Sequence, residues 1–199
     1  PVVALALGYN GPIAVGEKVL APARNFGRPL ADLVGPMPYR ARQMMLDEPN
    51  AINGLHRYWR SAFTEELSDE MIDVLSQAAA SFSSPLSTLI FFHVHGAAAR
   101  VPVTETAFAA RRTQWDFDAI AQWSDGSESP LHIDWLKALW NRLEPELGGS
   151  AYVNHLALDD RPEKVRASFG ENYGRLRELK AMYDPTNLFR VNANIEPAR

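Results

Sequence analysis

The run from Gln114 to Trp123 constrains this chain more than any other. Trp115, Phe117, Ala119, Ala121 and Trp123 alternate with Gln114, Asp116, Asp118, Ile120 and Gln122. An extended strand therefore carries aromatic and small apolar side chains on one side and a largely polar set on the other. Such a strand needs a core against its apolar side, while its polar side tolerates water or a partner. A helical reading would scatter both sets around the axis.

Other stretches repeat the pattern. In Leu86 to Ala97, Leu89, Phe91, His93 and His95 point one way and Ile90, Phe92 and Val94 the other. In Arg57 to Phe63, Tyr58, Arg60 and Ala62 oppose Arg57, Trp59, Ser61 and Phe63. Val2 to Tyr9, closed by Asn10-Gly11-Pro12, and Ser150 to Leu158 also read as strands. Helices are expected over Ile13 to Leu20, broken by Ala21-Pro22, and over Tyr39 to Leu46. A further helix is capped by Ser68, with Asp69 and Glu70 at its positive end and Ile72, Leu75, Ala79 and Phe82 as its buried face. Ser129-Pro130 opens another, with the stripe Leu131, Trp135, Ala138, Leu139 and Leu143.

The last helix starts near Asp160, Pro162 and Glu163. It carries Val165, Phe169, Tyr173, Leu176, Leu179 and Tyr183 on one face and stops at Asp184, because Pro185 disfavours helical geometry before it. About five or six strands and four or five helices result, with strands often adjacent in the chain. That order predicts an α+β fold, an antiparallel sheet with helices packed on one face.

The 199 residues, 46% of them hydrophobic, suffice for one core, and residues 1–199 are read as a single domain. With 20 basic and 24 acidic residues and no basic run, nucleic acid is not an expected partner. The longest apolar runs fall short of a membrane span, so no membrane partner is expected. The chain has no cysteine, hence no disulfide framework or thiol nucleophile, which suits a reducing, cytoplasmic setting. Its glycines, among them Gly8, Gly11, Gly16, Gly27 and Gly35, lack the spacing of a phosphate-cradling loop. This polypeptide is not expected to hold a dinucleotide alone.

Beyond the final helix lies a tail with an unusual composition. Tyr183-Asp184-Pro185-Thr186-Asn187-Leu188-Phe189-Arg190, then Asn192-Ala193-Asn194-Ile195 and a proline, resembles the C-terminal signature of FAD-linked oxidoreductases of the berberine bridge enzyme type. Pro22 to Gly27, Pro36 to Tyr39 and Gln43 resemble the same family's substrate domain. The resemblance implies a substrate-binding C-terminal domain whose N-terminal FAD-binding domain is missing from this chain. It further implies FAD as cofactor, an FAD-binding domain or subunit as partner, and oxidation of a small-molecule substrate, often an alcohol, by hydride transfer. A second copy of the chain is another partner to consider. An inactive small-molecule-binding or interaction module on the same scaffold stays open as the alternative.

Ala151-Tyr152-Val153-Asn154-His155 matches the family's Tyr-x-Asn segment, which implies flavin contact for Tyr152 and Asn154. The next position is often a tyrosine that serves as base; here it is His155, whose imidazole, with an ordinary pKa near 6.5, is neutral at pH 7 and suited to accept a proton. Tyr152 and His155 are therefore the expected catalytic residues, and Asn192 and Asn194 further flavin contacts. Trp59, His93, Arg111 and Asp116 are candidates for substrate binding, Arg111 because a guanidinium matches a carboxylate. His93-Val94-His95 shares a strand face, but no third ligand is fixed and no metal is expected.

Overall fold

A computed structural model describes residues 1–47, 54–191 and 193–198. The chain divides into two compact units, Pro1–Asn53 and Gly54–Arg199.

In the first unit, Val2 to Tyr9 is irregular rather than the expected strand, with Val2, Val3 and Leu5 exposed and unpaired. Helix α1, Ile13–Arg24, runs through Pro22 instead of breaking before it. Pro22 stands two residues from the helix end, so its missing N–H forfeits a single helical bond. Helix α2, Tyr39–Gln43, starts directly after Pro38.

The second unit contains β1 (His56–Thr64), α3 (Asp69–Ala80), β2 (Thr88–Val94), α4 (Ala97–Arg100), β3 (Gln114–Trp123), α5 (Ser129–Leu143), α6 (Pro162–Phe169) and α7 (Asn172–Tyr183). Among the described residues the sheet has three strands in the order β1-β3-β2, with both neighbours antiparallel to β3. The run that constrained the sequence is thus the central strand. Its apolar side, Phe117, Ala119, Ala121 and Trp123, is buried against Met71 and Ala78 of α3 and Leu136, Leu139 and Leu143 of α5. The two alanines leave room for a helix to lie close, and Phe91 of β2 stacks on Phe117 with centroids 4.5 Å apart. The α+β expectation with helices on one face holds.

The helical stripes are rotated from those expected. On α3 the buried pair is Met71 and Ala78, while Ile72 is 45% exposed. On α5 it is His132 and Leu136 that join Leu139 and Leu143, while Leu131 points to solvent. Apolar residues stand at adjacent positions in α3, so two stripes fit the period equally well. On α5 the histidine disguises the true one. His132 Nδ1 lies 2.9 Å from Ser83 Oγ and its ring stacks on Trp123, which satisfies an otherwise costly buried polar group. The cap expected at α3 is present, with Met71 N donating to Ser68 Oγ at 3.0 Å.

Two elements differ more. Ser150 to Leu158 is not a strand: Phe63 N donates to Ser150 O (2.9 Å) and Gly148 N to Phe63 O (2.7 Å), after which the chain leaves the edge of β1. A short 3-10 turn, Val153–His155, follows. The final helix is two helices, α6 and α7, separated at Gly170, whose φ of 52° lies in the left-handed region. Helix α7 ends at Tyr183, as Pro185 requires.

Replacing Gly170 with alanine should cost about 1–2 kcal/mol in urea unfolding, because a Cβ is strained at this backbone geometry. An unchanged midpoint would show that α6 and α7 can fuse.

Candidate functional site

The register of the sheet decides which side chains share its face away from the helices. Ser61 of β1 and Ile90 of β2 flank Asp118, Phe63 and Phe92 flank Asp116, and Trp59 and Thr88 flank Ile120. Asp116 and Asp118 are nevertheless 5% and 6% exposed. Two carboxylates so deeply buried require a compensating cation or donors.

The turn Val153–His155 delivers that cation. His155 Nδ1 stands 3.1 Å from Asp118 Oδ2 and 3.3 Å from Asp116 Oδ2. Its N–H points squarely at neither oxygen, so charge rather than one straight hydrogen bond holds the trio. Close contact with Asp116 first, then Asp118, outweighs burial and raises the His155 pKa to about 9. That rise favours the imidazolium at neutral pH over the neutral ring expected of an ordinary histidine. Ser61 Oγ donates to Asp116 Oδ1 at 3.3 Å, whereas Asp118 Oδ1 is buried without a donor.

Aromatic rings surround this centre. Trp59 Nε1 donates to His155 O at 2.9 Å, the Phe92 ring lies 6.2 Å from the imidazole, and Tyr152 meets it edge-on at 4.9 Å. Trp59 and Phe92 stay 37% and 45% exposed, as walls of an open site would. Tyr152 packs in turn against Phe108, whose ring lies 4.7 Å beneath the Arg111 guanidinium. Asn154 is exposed and its Nδ2 donates to the Tyr152 hydroxyl at 2.7 Å.

The structure thus gathers Trp59, Asp116, Tyr152 and His155, with Asn154 attached through Tyr152. Because Val153–His155 is a 3-10 turn, Tyr152 and His155 are neighbours rather than on opposite faces. His93 lies elsewhere, on the face bearing Trp115, stacked on that ring at 4.3 Å and on His95 at 4.5 Å. Arg111 is engaged in its own loop, donating to Ala98 O (3.2 Å) and Thr106 Oγ1 (2.7 Å). Asn194 lies in the tail with Oδ1 buried and lacking a donor, and Asn192 falls outside the described residues. Asp116, Asp118 and His155 offer ligand atoms within 4.8 Å of one another, but the imidazolium already supplies the positive charge a cation would bring.

Sequence reasoning missed the hold on this segment. Arg60 Nη1 and Nη2 donate to Asp159 Oδ1 and Oδ2 at 2.5 and 2.6 Å, and the Tyr58 hydroxyl donates to Oδ2 at 3.0 Å. The Arg60 fork holds the Asp159 carboxyl at a pKa of about 2, and burial, then Asp159, pushes Tyr58 up to about 12. The signal in the sequence was Tyr58 and Arg60 on the side of β1 that also carries Ala62 and faces the helices. The tail is tied to α7: Arg177 donates to Glu196 O and Pro197 O (both 3.2 Å), and Asp184 accepts from Leu188 N (2.8 Å) and Phe189 N (3.0 Å). Among the described residues no helix is long and apolar enough to cross a membrane.

Residues 151–196, which include the turn and the tail, match the family model described as berberine and berberine like. An FAD-linked oxidoreductase of Dictyostelium discoideum is 27% identical over 199 residues, covering 98% of this chain and 42% of that protein. The monolignol oxidoreductase AtBBE-like 13 of Arabidopsis thaliana is 29% identical over 170 residues, covering 79% of this chain and 28% of its own length. A solved variant of berberine bridge enzyme superposes with a TM-score of 0.75 over 95% of this chain and 44% of that one; at 18% identity the likeness is one of fold. The chain spans less than half the length of these relatives.

Because His155 has a folded pKa of about 9, above its unfolded value, its stabilising contribution is complete below about pH 6.5 and is lost as pH rises through 9. The melting temperature should therefore fall between pH 6.5 and 9.5, and fall less steeply in His155→Gln; parallel curves would contradict the ion trio.

Proposed function

The chain belongs to the FAD-linked oxidoreductases of the berberine bridge enzyme type, and on that footing we propose that residues 1–199 form the substrate-binding part of an enzyme oxidising a small organic alcohol. In this reading the sheet face bearing Asp116 and Asp118 closes over a flavin held by an FAD-binding domain or subunit. The observation that carries it is Asp118 Oδ1, a buried acceptor without a donor on an aromatic-walled face. A substrate hydroxyl is the donor that fits it. A small organic substrate accords with the relative named a monolignol oxidoreductase.

The residues present suit a planar cofactor. Trp59 and Phe92 offer partly exposed rings, and Asn194 Oδ1 and Asp118 Oδ1 are acceptors in need of hydrogen. Tyr152, Asn154 and Asn194 would line the flavin, together with Asn192. FAD, when bound, supplies the acceptor for the two electrons that leave the substrate C–H bond.

The chain's own part is the proton. Two carboxylates and one imidazolium carry a net charge of −1 in a buried setting. Taking the hydroxyl proton neutralises the trio, a change that burial favours. The carboxylate pair is the acceptor, and the His155 imidazolium beside it is its counterion. Tyr152 accepts from Asn154, so its own hydroxyl hydrogen is free to donate to the substrate oxygen.

In the intact protein, Asp118→Asn should keep the fold and the flavin spectrum while lowering kcat by about a hundred- to ten-thousandfold, the range of a lost general base. Unchanged turnover in that variant would overturn the assignment.

A further inference from the structure

Strand β1 grips the segment that carries His155 from both sides of the sheet. Successive residues of a strand face opposite ways, so Trp59 reaches the segment on one face and Tyr58 and Arg60 on the other. Trp59 Nε1 holds the carbonyl of His155 itself (2.9 Å), while Arg60 and Tyr58 hold Asp159, four residues on. Between the two grips the chain is held by local bonds, with Asp160 N donating to Ala157 O at 3.1 Å. The turn Val153–His155 is three residues long, has no side-chain cap, and is followed by Leu158, which is 91% exposed. Past Asp159, Asp160 accepts from Ala157 N (2.8 Å) and Lys164 Nζ (2.9 Å), which ties the segment to α6.

The geometry of the Asp159 grip is that of a locator. A guanidinium fork on a carboxylate fixes distance and plane together, and the Tyr58 hydroxyl adds a third donor. Arg60 also stacks over the Tyr58 ring, 4.8 Å from its centroid, with Lys137 of α5 5.9 Å away on that ring. The side chain of Arg60 is 14% exposed and that of Asp159 52%, so the guanidinium end of the pair is sheltered while the carboxylate end meets solvent. His155, by contrast, is held to its acids by charge alone and its side chain is 31% exposed. It can swing outward unless its backbone is held.

We infer that Asp159, gripped by Arg60 and Tyr58, is a positioning residue that keeps His155 seated over Asp116 and Asp118. The inference rests on the acid–base reading of that trio. Facing His155 are Asp116 and Asp118 from β3, the Tyr152 phenol from its own segment and the uncharged rings of Trp59 and Phe92. Facing Asp159 are Tyr58 and Arg60, with Asp160 beside it neutralised by Lys164.

The test titrates the five histidines of the chain by NMR in the intact protein, the His155 signal being the one lost in His155→Gln. Asp159→Asn, Arg60→Ala and the milder Tyr58→Phe should lower the His155 pKa by about one unit or more toward its ordinary value and reduce kcat about ten- to hundredfold. Arg112→Ala, which breaks the exposed pair with Glu65, should move neither. Folded Asp159 and Tyr58 variants whose His155 titrates as in the wild type would overturn the inference. A wild-type His155 that titrates near 6.5 would instead overturn the acid–base trio beneath it. Should Arg60→Ala fail to fold, Tyr58→Phe, which removes one hydrogen bond and no volume, decides.

Discussion

Two carboxylates buried side by side on the central strand are the expensive feature of this protein, and one imidazolium makes them tolerable. Asp116 and Asp118 are almost fully removed from water, and His155 Nδ1 stands within 3.3 Å of a carboxylate oxygen of each. Everything around the pair serves to bring that histidine to it. The edge of β1 directs the chain past Ser150, the 3-10 turn crosses the face, and aromatic rings on β1 and β2 bound the remaining opening.

The opposite side of the same strand shows why the pair can exist at all. Phe117, Ala119, Ala121 and Trp123 bury an apolar surface against α3 and α5, worth roughly 1.5–3 kcal/mol for each large side chain. That core fixes the strand, and the strand in turn fixes the spacing of Asp116 and Asp118. The pleat sets both acids on one face, two positions apart, so a single imidazole can reach them together. Helix packing on one face thus provides the rigid backing for the charged trio on the other.

The alternation in Gln114–Trp123 was legible because strand geometry maps sequence parity directly onto faces, and the same rule correctly separated Trp59 from Tyr58 and Phe92 from His93. Parity failed where the backbone is not extended. A strand over Ser150 to Leu158 would set Tyr152 and His155 on opposite faces, yet a 3-10 turn makes them ring neighbours at 4.9 Å. Helical stripes were legible only to within a rotation, since Met71 and Ile72 compete for one period and His132 hides its burial behind a polar name. The protonation of His155 was illegible in principle: a sequence gives an imidazole its ordinary pKa, and only distances to Asp116 and Asp118 reveal its charge. Gly170 falls inside the single helix expected between Asp160 and Asp184, and its positive φ is what divides that helix in two.

Strand β1 holds one segment from above with Trp59 and from below with Tyr58 and Arg60. An insertion or deletion of a single residue upstream within the strand would exchange these duties, sending the indole to the helices and the guanidinium to the face bearing Asp116 and Asp118. Length variation in this edge is thereby quantised: over evolutionary time it should tolerate changes of two residues and reject changes of one, whatever the chemistry of the residues added.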